Sequence, residues 1–500
     1  MRRTLLFAAA LLMAFATQAQ DTVPLSLARL LADAPSDTSR YHIFRQAHLQ
    51  ALTNGQTLDY SGIDTLHIAI PAGAKPIPLA PRNDFANIVI VVKNTVANLV
   101  LFSRTPAVQP VPTSTAPDSL ISAAIDYGDY SRIPGLDSGR WLLQVVDSTP
   151  WVTQRIGHSY GHYREELLRL DNGHSTDRPT KPYVGTVSKP RLKGRRTDSD
   201  TAFLFANITL LRDSLSTFKT LLLNIENLSS ATLRNITVVT PPSTLTDDFI
   251  IRIYHCADVT LDNVKLIGSY SRTNHSGYGL LMDNCRNTRI RRLTARTPWG
   301  VFGTNNMHNT LFEYCDFDRF DIHCYGRDVT YRHCRQSNSY NQYSSVYGTI
   351  LHDSCTFDNF TPLLIETSYN SYPHFTLRMH DCHWRLTRQR HTMIEAGRLD
   401  TLISSRPELH DKCLPDIDID GLTIDAPFLL RPQLVHYRGK NISHPALGIK
   451  YINLRRVSTV KGNRIRFRLS DRRVMLSNPV RLLIASPKST NASTSVIKYL

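Results

Sequence analysis

Between Phe203 and Leu430 the chain alternates short apolar and polar positions, and the alternation recurs. Thr232-Leu233-Arg234-Asn235-Ile236 resembles Thr260-Leu261-Asp262-Asn263-Val264. Arg289 to Leu293, Thr310 to Cys315, Thr330 to Cys334, Ile350 to Cys355 and Thr376 to Cys382 continue the series, and Ile417 to Leu422 reads as a further copy. The intervals are 19 to 29 residues, with one of 40 near the end. Each copy is a two-residue-period strand followed by a turn. No helical period intervenes, so the pattern predicts stacked strands in a solenoid with loops of variable length.

A second strand recurs between the first ones: Ile251 to Tyr254, Leu280 to Asp283, Val301 to Thr304, Ile322 to Tyr325, Val346 to Thr349, Leu364 to Thr367 and Met393 to Ala396. Side chains alternate across a strand. Ile251, Leu280, Val301, Ile322, Val346, Leu364 and Met393 are therefore expected inside. Arg252, Leu281, Phe302, His323, Tyr347, Ile365 and Ile394 form the expected outward column.

The cysteines follow the same register. Cys315, Cys334, Cys355 and Cys382 share one repeat position, and Cys256 and Cys285 share another. Stacked strands lie about 4.8 Å apart, so such residues form columns of buried thiols. Reduced ladders are favoured over disulfides, and no CxxC spacing suggests zinc. The stacked T-x-x-N-[IVC] and x-x-C-x-F strands, with turns at Asn227, Asn235, Asn263, Asn284 and Asn287, resemble the right-handed parallel β-helix of the pectate-lyase-like superfamily. The resemblance covers about residues 203–430. It implies an all-β fold and a setting shared by polysaccharide lyases, glycoside hydrolases, phage tailspikes and non-catalytic surface proteins.

The flanks read differently. Residues 1–19 form a signal segment: Arg2 and Arg3, an apolar run from Leu5 to Phe15, and cleavage expected after Ala19. Residues 20–200 form an N-terminal cap and the first β-rich segments, 201–430 the repeats, and 431–500 terminal rungs or a small β cap. Tyr41 to Leu52 reads as an amphipathic helix capping the open end of the stack. Ile88 to Val92 is the strongest strand before the repeats. Thr105 to Pro117 reads as a linker, Asp171-Asn172-Gly173 as a turn, and Lys189 to Arg196 as a solvated basic loop.

Composition narrows the partners. The 500-residue chain has 58 Lys and Arg against 42 Asp and Glu, a net charge of +16. With the signal segment this predicts a secreted or periplasmic monomer without a membrane span. Its expected partner is an acidic polysaccharide, not nucleic acid, although a modest positive charge also serves solubility.

Candidate chemistry is sparse. No phosphate loop, GxSxG elbow or HExxH is present. The paired-Asp constellation of β-helix polygalacturonases is missing, which argues against that hydrolase class. The strand-face acids of calcium-dependent lyases do not carry over, because the outward column is aromatic and basic. Uronate β-elimination needs a cation on the carboxylate, a base for the C5 proton and an acid for the leaving oxygen. Arg252 or Arg327 with His323 and Tyr347 supplies those types, and Phe302, Tyr325, Tyr254 and Asp283 are the expected substrate contacts. Stacked aromatic and His residues also occur for packing alone. His158 and His162, flanked by glycines, read as loop residues. In His380-Asp381-Cys382-His383, alternation puts His380 and Cys382 on one face. Asp416, Asp418 and Asp420 share a face and are the candidates for calcium. Glu366 and Glu395 fall at equivalent positions. Three functions stay open: a polysaccharide lyase, a non-catalytic glycan-binding or cell-envelope protein, and a structural repeat protein.

Overall fold

The computed structural model describes residues 26–96, 99–111, 116–147, 153–154, 161–162, 164–177, 190–217, 220–240, 249–268, 278–296, 301–304, 307–322, 326–337, 340–344, 346–358, 361–366, 374–386, 391–396, 415–425, 433–437, 452–460 and 468–469. Residues 1–19, expected as a signal segment, and His158, Cys324, Cys413, His323 and Tyr325 lie outside these residues.

Successive long strands pair in parallel with the same strand one repeat later. Ala231–Thr240 lies between Phe203–Arg212 and Val259–Gly268, with Leu233 opposite Phe205 and Leu261. Shorter strands build a second parallel sheet in the same order, Phe249–Tyr254 followed by Tyr278–Asp283 and Val301–Thr304. Sixteen described strands form the long sheet and twelve the second. Two parallel sheets advancing together around one apolar core make the chain an all-β parallel β-helix.

Each long strand bends at one residue in the left-handed region. Asn207, Asn235 and Asn263 occupy this corner with φ of 60°, 52° and 54°. Asn tolerates that conformation better than most residues. Its amide also bonds the next rung: Asn235 Nδ2 donates to Asn207 Oδ1 at 2.8 Å, and Asn263 Nδ2 to Asn235 Oδ1 at 2.9 Å. The bend interrupts the alternation, so Arg234 and Asn235 are both exposed while Leu233 and Ile236 are buried. Asn235→Ala should lower stability by about 2–3 kcal/mol, from lost hydrogen bonds plus a left-handed Ala. Urea unfolding checks this, and Asn235→Gly should lose less, since Gly bears no left-handed cost.

The six described cysteines are free and buried. Cys334 Sγ donates to the carbonyls of Arg332 and Phe312 at 3.4 and 3.5 Å, and Cys355 Sγ makes the equivalent bonds one rung on. Burial pushes the Cys256 thiol up to about 12. These thiols are packing groups.

The helix expected at Tyr41 to Leu52 spans Asp37–Asn54, capped by the Ser36 side chain and by Gly55 at φ 65°. Phe44 and His48 enter an aromatic plug with Tyr60, Phe85, Phe102 and Phe205. His48 bonds the Tyr60 hydroxyl at 3.0 Å, and burial lowers its pKa to about 3. The stack begins earlier than the expected 201: Thr65–Ile70 and Arg82–Asn94 are already rungs, and Arg82–Asn94 pairs with Phe203–Arg212. The described residues between 109 and 196 form an insertion between two coils, an antiparallel sheet packed on the helix Asp118–Tyr127. That helix was not anticipated; its apolar face, Ile121, Ala124 and Ile125, is short and follows a proline. The basic run expected as a loop is the strand Pro190–Arg196, where Arg195 holds Asp200 with bonds of 2.7 and 2.6 Å. At the other end Ile452–Thr459 pairs with Asp416–Asp425, so residues beyond 431 add rungs.

The second sheet corrects the expected columns. Val301 stands opposite Phe320 and Phe302 opposite Asp321, so Ile322 aligns two residues later than expected, with Gly303. The next strand is Asn341–Tyr343, not Val346–Thr349. Tyr347 begins a strand of the long sheet. Further on, Leu363 and Ile365 enter the core, Ile394 pairs with Leu363, and Leu364 takes the outward column. Two amides in Asn341-Gln342-Tyr343 hide a strand that stacking, not hydrophobicity, holds in place.

Candidate functional site

Acid–base side chains gather where the second-sheet strands end and the insertion docks. Glu226, Tyr254 and Asp283 occupy successive rungs in register. Asn224, Arg252 and Leu281 form the parallel row two residues earlier, on the same outward face. The chain then turns through Asn227, His255 and Asn284, all left-handed. The strand Arg164–Asp171 of the insertion brings Glu165 to the same corner.

Arg252 Nε donates to Asn224 Oδ1 at 2.7 Å, and its guanidinium lies 5.2 Å from the centroid of the Tyr254 ring. Tyr254 hydrogen-bonds Asp283; burial first, then that carboxylate, raises the phenol pKa and keeps it protonated. His255 lies between two carboxylates, Nε2 3.5 Å from Glu165 and Nδ1 3.7 Å from Glu226. Burial alone would lower its pKa, but Glu165 and Glu226 outweigh burial and raise it to about 9. Glu226 is held below its ordinary value, by His255 first. At neutral pH the corner therefore presents the His255 imidazolium, the ionised Glu226 carboxylate and a neutral Tyr254 phenol beside the Arg252 guanidinium.

This arrangement ties stability to pH. The folded pKa of His255 is above its ordinary 6.5, so its contribution is full below 6.5 and is lost as pH rises through about 9. The melting temperature should fall across that window, and His255→Gln should flatten the fall. An unchanged slope in the variant would show that another group is responsible.

Three expected residues, Arg252, Tyr254 and Asp283, thus meet here. The others do not. Tyr347 is 8% exposed and stands beside Arg327 in the long sheet. Tyr347 thus belongs to the long sheet and not to the second-sheet column expected for it; His323 and Tyr325 lie outside the described residues. Phe302 lies in the second sheet between Leu281 and Asp321. Arg327 bonds Asp328 at 3.1 Å and continues a column from Arg286 and His308. Arg286 reaches His308 Nδ1 at 2.8 Å and lies 3.8 and 3.6 Å from Glu166 and Asp177 of the insertion. Arg169 of the insertion pairs with Asp258. This column anchors the insertion.

The other motifs are accounted for by contacts. Asp381 is left-handed at φ 46°, which breaks the alternation: His380 is exposed and Cys382 buried, so they do not share a face. His380 lies 3.2 Å from Asp353. Asp418 and Asp420 are engaged by Asn453, Arg455 and Arg456, with Asp420 at 2.5 Å from Arg456. Asp418, Asp420 and Arg455 line a groove of about 260 Å³ with Asp353, Arg378 and His380. Glu395 pairs with Leu364, two residues off the position expected for equivalence with Glu366. Among the described residues no group of three or more His, Cys, Asp or Glu side chains is arranged to hold a metal ion, and no helix is long and apolar enough to cross a membrane.

Glu226, His255 and Glu165 were missed from sequence. Glu226 was within reach, because it stands 28 residues before Tyr254 in the repeat register. Glu165 carries no such signal; it arrives from a different sheet.

Solved structures share the architecture. The tailspike gp61 of Pseudomonas phage phi297 superposes with a TM-score of 0.55 at 12% identity, covering 91% of this chain and 79% of that one. The tailspike gp49 of Pseudomonas phage LKA1 gives 0.53 at 13% identity, covering 89% and 77%. The Gp54 tailspike of Acinetobacter baumannii bacteriophage AP22, solved in complex with A. baumannii capsular saccharide, gives 0.50 at 12% identity, covering 88% and 76%. At such identities the likeness is one of fold. No protein-family model matches the sequence, and no curated protein does.

Proposed function

We propose that this is an exported, monomeric β-helix protein of pectate-lyase-like type that cleaves an acidic polysaccharide by β-elimination at the corner of Glu226, Arg252, Tyr254, His255 and Asp283. The observation that carries the reading is the convergence of a cation, a protonated phenol and an ionised carboxylate on adjacent rungs. Arg252 receives the uronate carboxylate. Glu226 takes the C5 proton, the C4–oxygen bond breaks with its electron pair going to the leaving oxygen, and the Tyr254 hydroxyl protonates that oxygen. The imidazolium of His255 offsets the charge that builds on the carboxylate carbon. A structural neighbour solved with a capsular saccharide supports a polysaccharide as the partner of such a fold. The chain's excess of cations is consistent with an acidic one.

The second reading is non-catalytic glycan binding. It is favoured by Tyr347, which stands 8% exposed in the long sheet and not in the outward second-sheet column expected for it. Ultraviolet absorbance of unsaturated uronates separates the two. Purified protein is incubated with pectate, alginate and glycosaminoglycans, with and without calcium. A rise with one substrate is expected; binding without any rise, and without release of reducing sugar, would establish the second reading.

A further inference from the structure

The bend of the long strands changes character partway along the stack. Asn207, Asn235 and Asn263 hold it with an amide ladder. The next three rungs put Arg292, Tyr314 and His333 there, at φ of 52°, 56° and 52°. A large side chain in the left-handed region is uncommon and costs energy, and Tyr314 and His333 gain no ladder bond in return. Tyr314 is instead 57% exposed, its ring stacked on His333 with centroids 5.1 Å apart and planes 15° apart.

The register makes these residues one edge of a grid. Arg289, Leu311 and Thr330 stand in one column, Arg291, Glu313 and Arg332 in the next, and Arg292, Tyr314 and His333 at the bend. Glu313 is 9% exposed and fixes the arginines from beneath. Arg289 donates to its Oε2 twice, at 3.0 and 2.7 Å; Arg291 lies at 3.7 Å and Arg332 at 3.4 Å. Hydrogen bonds from Arg289 come first among the causes that hold the Glu313 carboxyl below its ordinary range. Three guanidiniums thus address one carboxylate. Arg332 also reaches Asp353 and Arg292 reaches Asp262, but Arg289 and Arg291, 53% and 38% exposed, share a charge that one of them already balances.

We infer that this grid is a second glycan-binding site, in which Tyr314 stacked on His333 supports a sugar ring and Arg289 and Arg291 receive its carboxylate or sulfate. An exposed ring beside fixed, under-neutralised guanidiniums suits a ligand with an apolar face and an anionic substituent. Three rungs span about 10 Å along the helix axis, so the ligand is a run of an extended acidic polysaccharide. The inference rests on the polysaccharide reading of the chain but not on its chemistry.

The test is binding of the full chain to immobilised polygalacturonate, alginate, chondroitin sulfate and hyaluronan, with dextran as the neutral control. At least one acidic polymer should bind and dextran should not. Tyr314→Ala, and separately the pair Arg289→Ala with Arg291→Ala, should weaken Kd about tenfold or more. Tyr314→Trp should restore it. A cooperative unfolding transition confirms that each variant folds; the arginine pair should lose some melting temperature, because it leaves the 9% exposed Glu313 carboxylate to Arg332. Binding to none of the acidic polymers, or equal Kd values in wild type and Tyr314→Ala, overturns the site. Glu226→Gln tells this proposal from the previous one. Tyr314-dependent binding that persists when no wild-type turnover is seen leaves this site standing and removes the lyase. Turnover with kcat and KM untouched by Tyr314→Ala, together with unaltered binding, does the reverse.

Discussion

Tyr254→Phe and Glu226→Gln should each lower kcat/KM on the cleaved polysaccharide by roughly 10²–10⁴-fold, the usual size of a lost general acid or base. Phe keeps the ring beneath Arg252, so the 5.2 Å cation–π contact and substrate affinity should survive while the proton donor is gone. KM should therefore stay nearly constant and kcat should fall. Glu226→Gln keeps shape and removes the charge that His255 stabilises. His255→Gln should act differently: without the imidazolium the Glu226 carboxyl titrates higher, so the acidic limb of the pH–rate profile moves up. Full activity in Tyr254→Phe would remove the phenol from the mechanism. A loss in Tyr347→Phe with none in Tyr254→Phe would return the site to the long sheet.

Phe312→Ala should destabilise the stack by about 3–5 kcal/mol. Phe312 is fully buried and stacks on Tyr331 with centroids 5.0 Å apart, and Tyr331 stacks on His352 at 4.6 Å. Phe320 meets the same ring edge-on at 4.7 Å. Removing it opens a cavity where close-packed rings from three rungs meet, and neighbouring strands cannot close in without breaking their ladders. Rungs contact only adjacent rungs, so the damage is local and the cooperative unit should split there. Urea unfolding followed by two probes should show an earlier, broader transition than in wild type, and Phe312→Leu should recover much of the loss. An unshifted midpoint in Phe312→Ala would mean that this aromatic column carries little of the stability.

Most of the β-helix was legible because its rules are local. Leu233, Leu261 and Ile290 repeat the same polarity in the same strand, and Asn235 and Asn263 mark the same bend. The readings that failed have equally local causes. One left-handed residue, Asp381, resets the alternation and separates His380 from Cys382. Asn341 and Gln342 make a strand that looks like a loop. Corners of unequal length moved Tyr347 from the expected second sheet to the long one.

The candidate site divides along the same line. Repeat spacing brings Arg252, Tyr254 and Asp283 onto neighbouring rungs, because stacking converts a fixed sequence interval into a distance of one strand. Sequence alone therefore determined the long-sheet rungs, their bends, the buried thiol columns and the outward placing of Arg252, Tyr254 and Asp283, while the later second-sheet rungs needed the structure. Only the tertiary structure decided which of those faces the insertion meets. Glu165 reaches His255 from 90 residues away, and that contact sets the charge of the corner. Docking of one sheet on another depends on surfaces assembled from distant segments, and no periodicity along the chain encodes it.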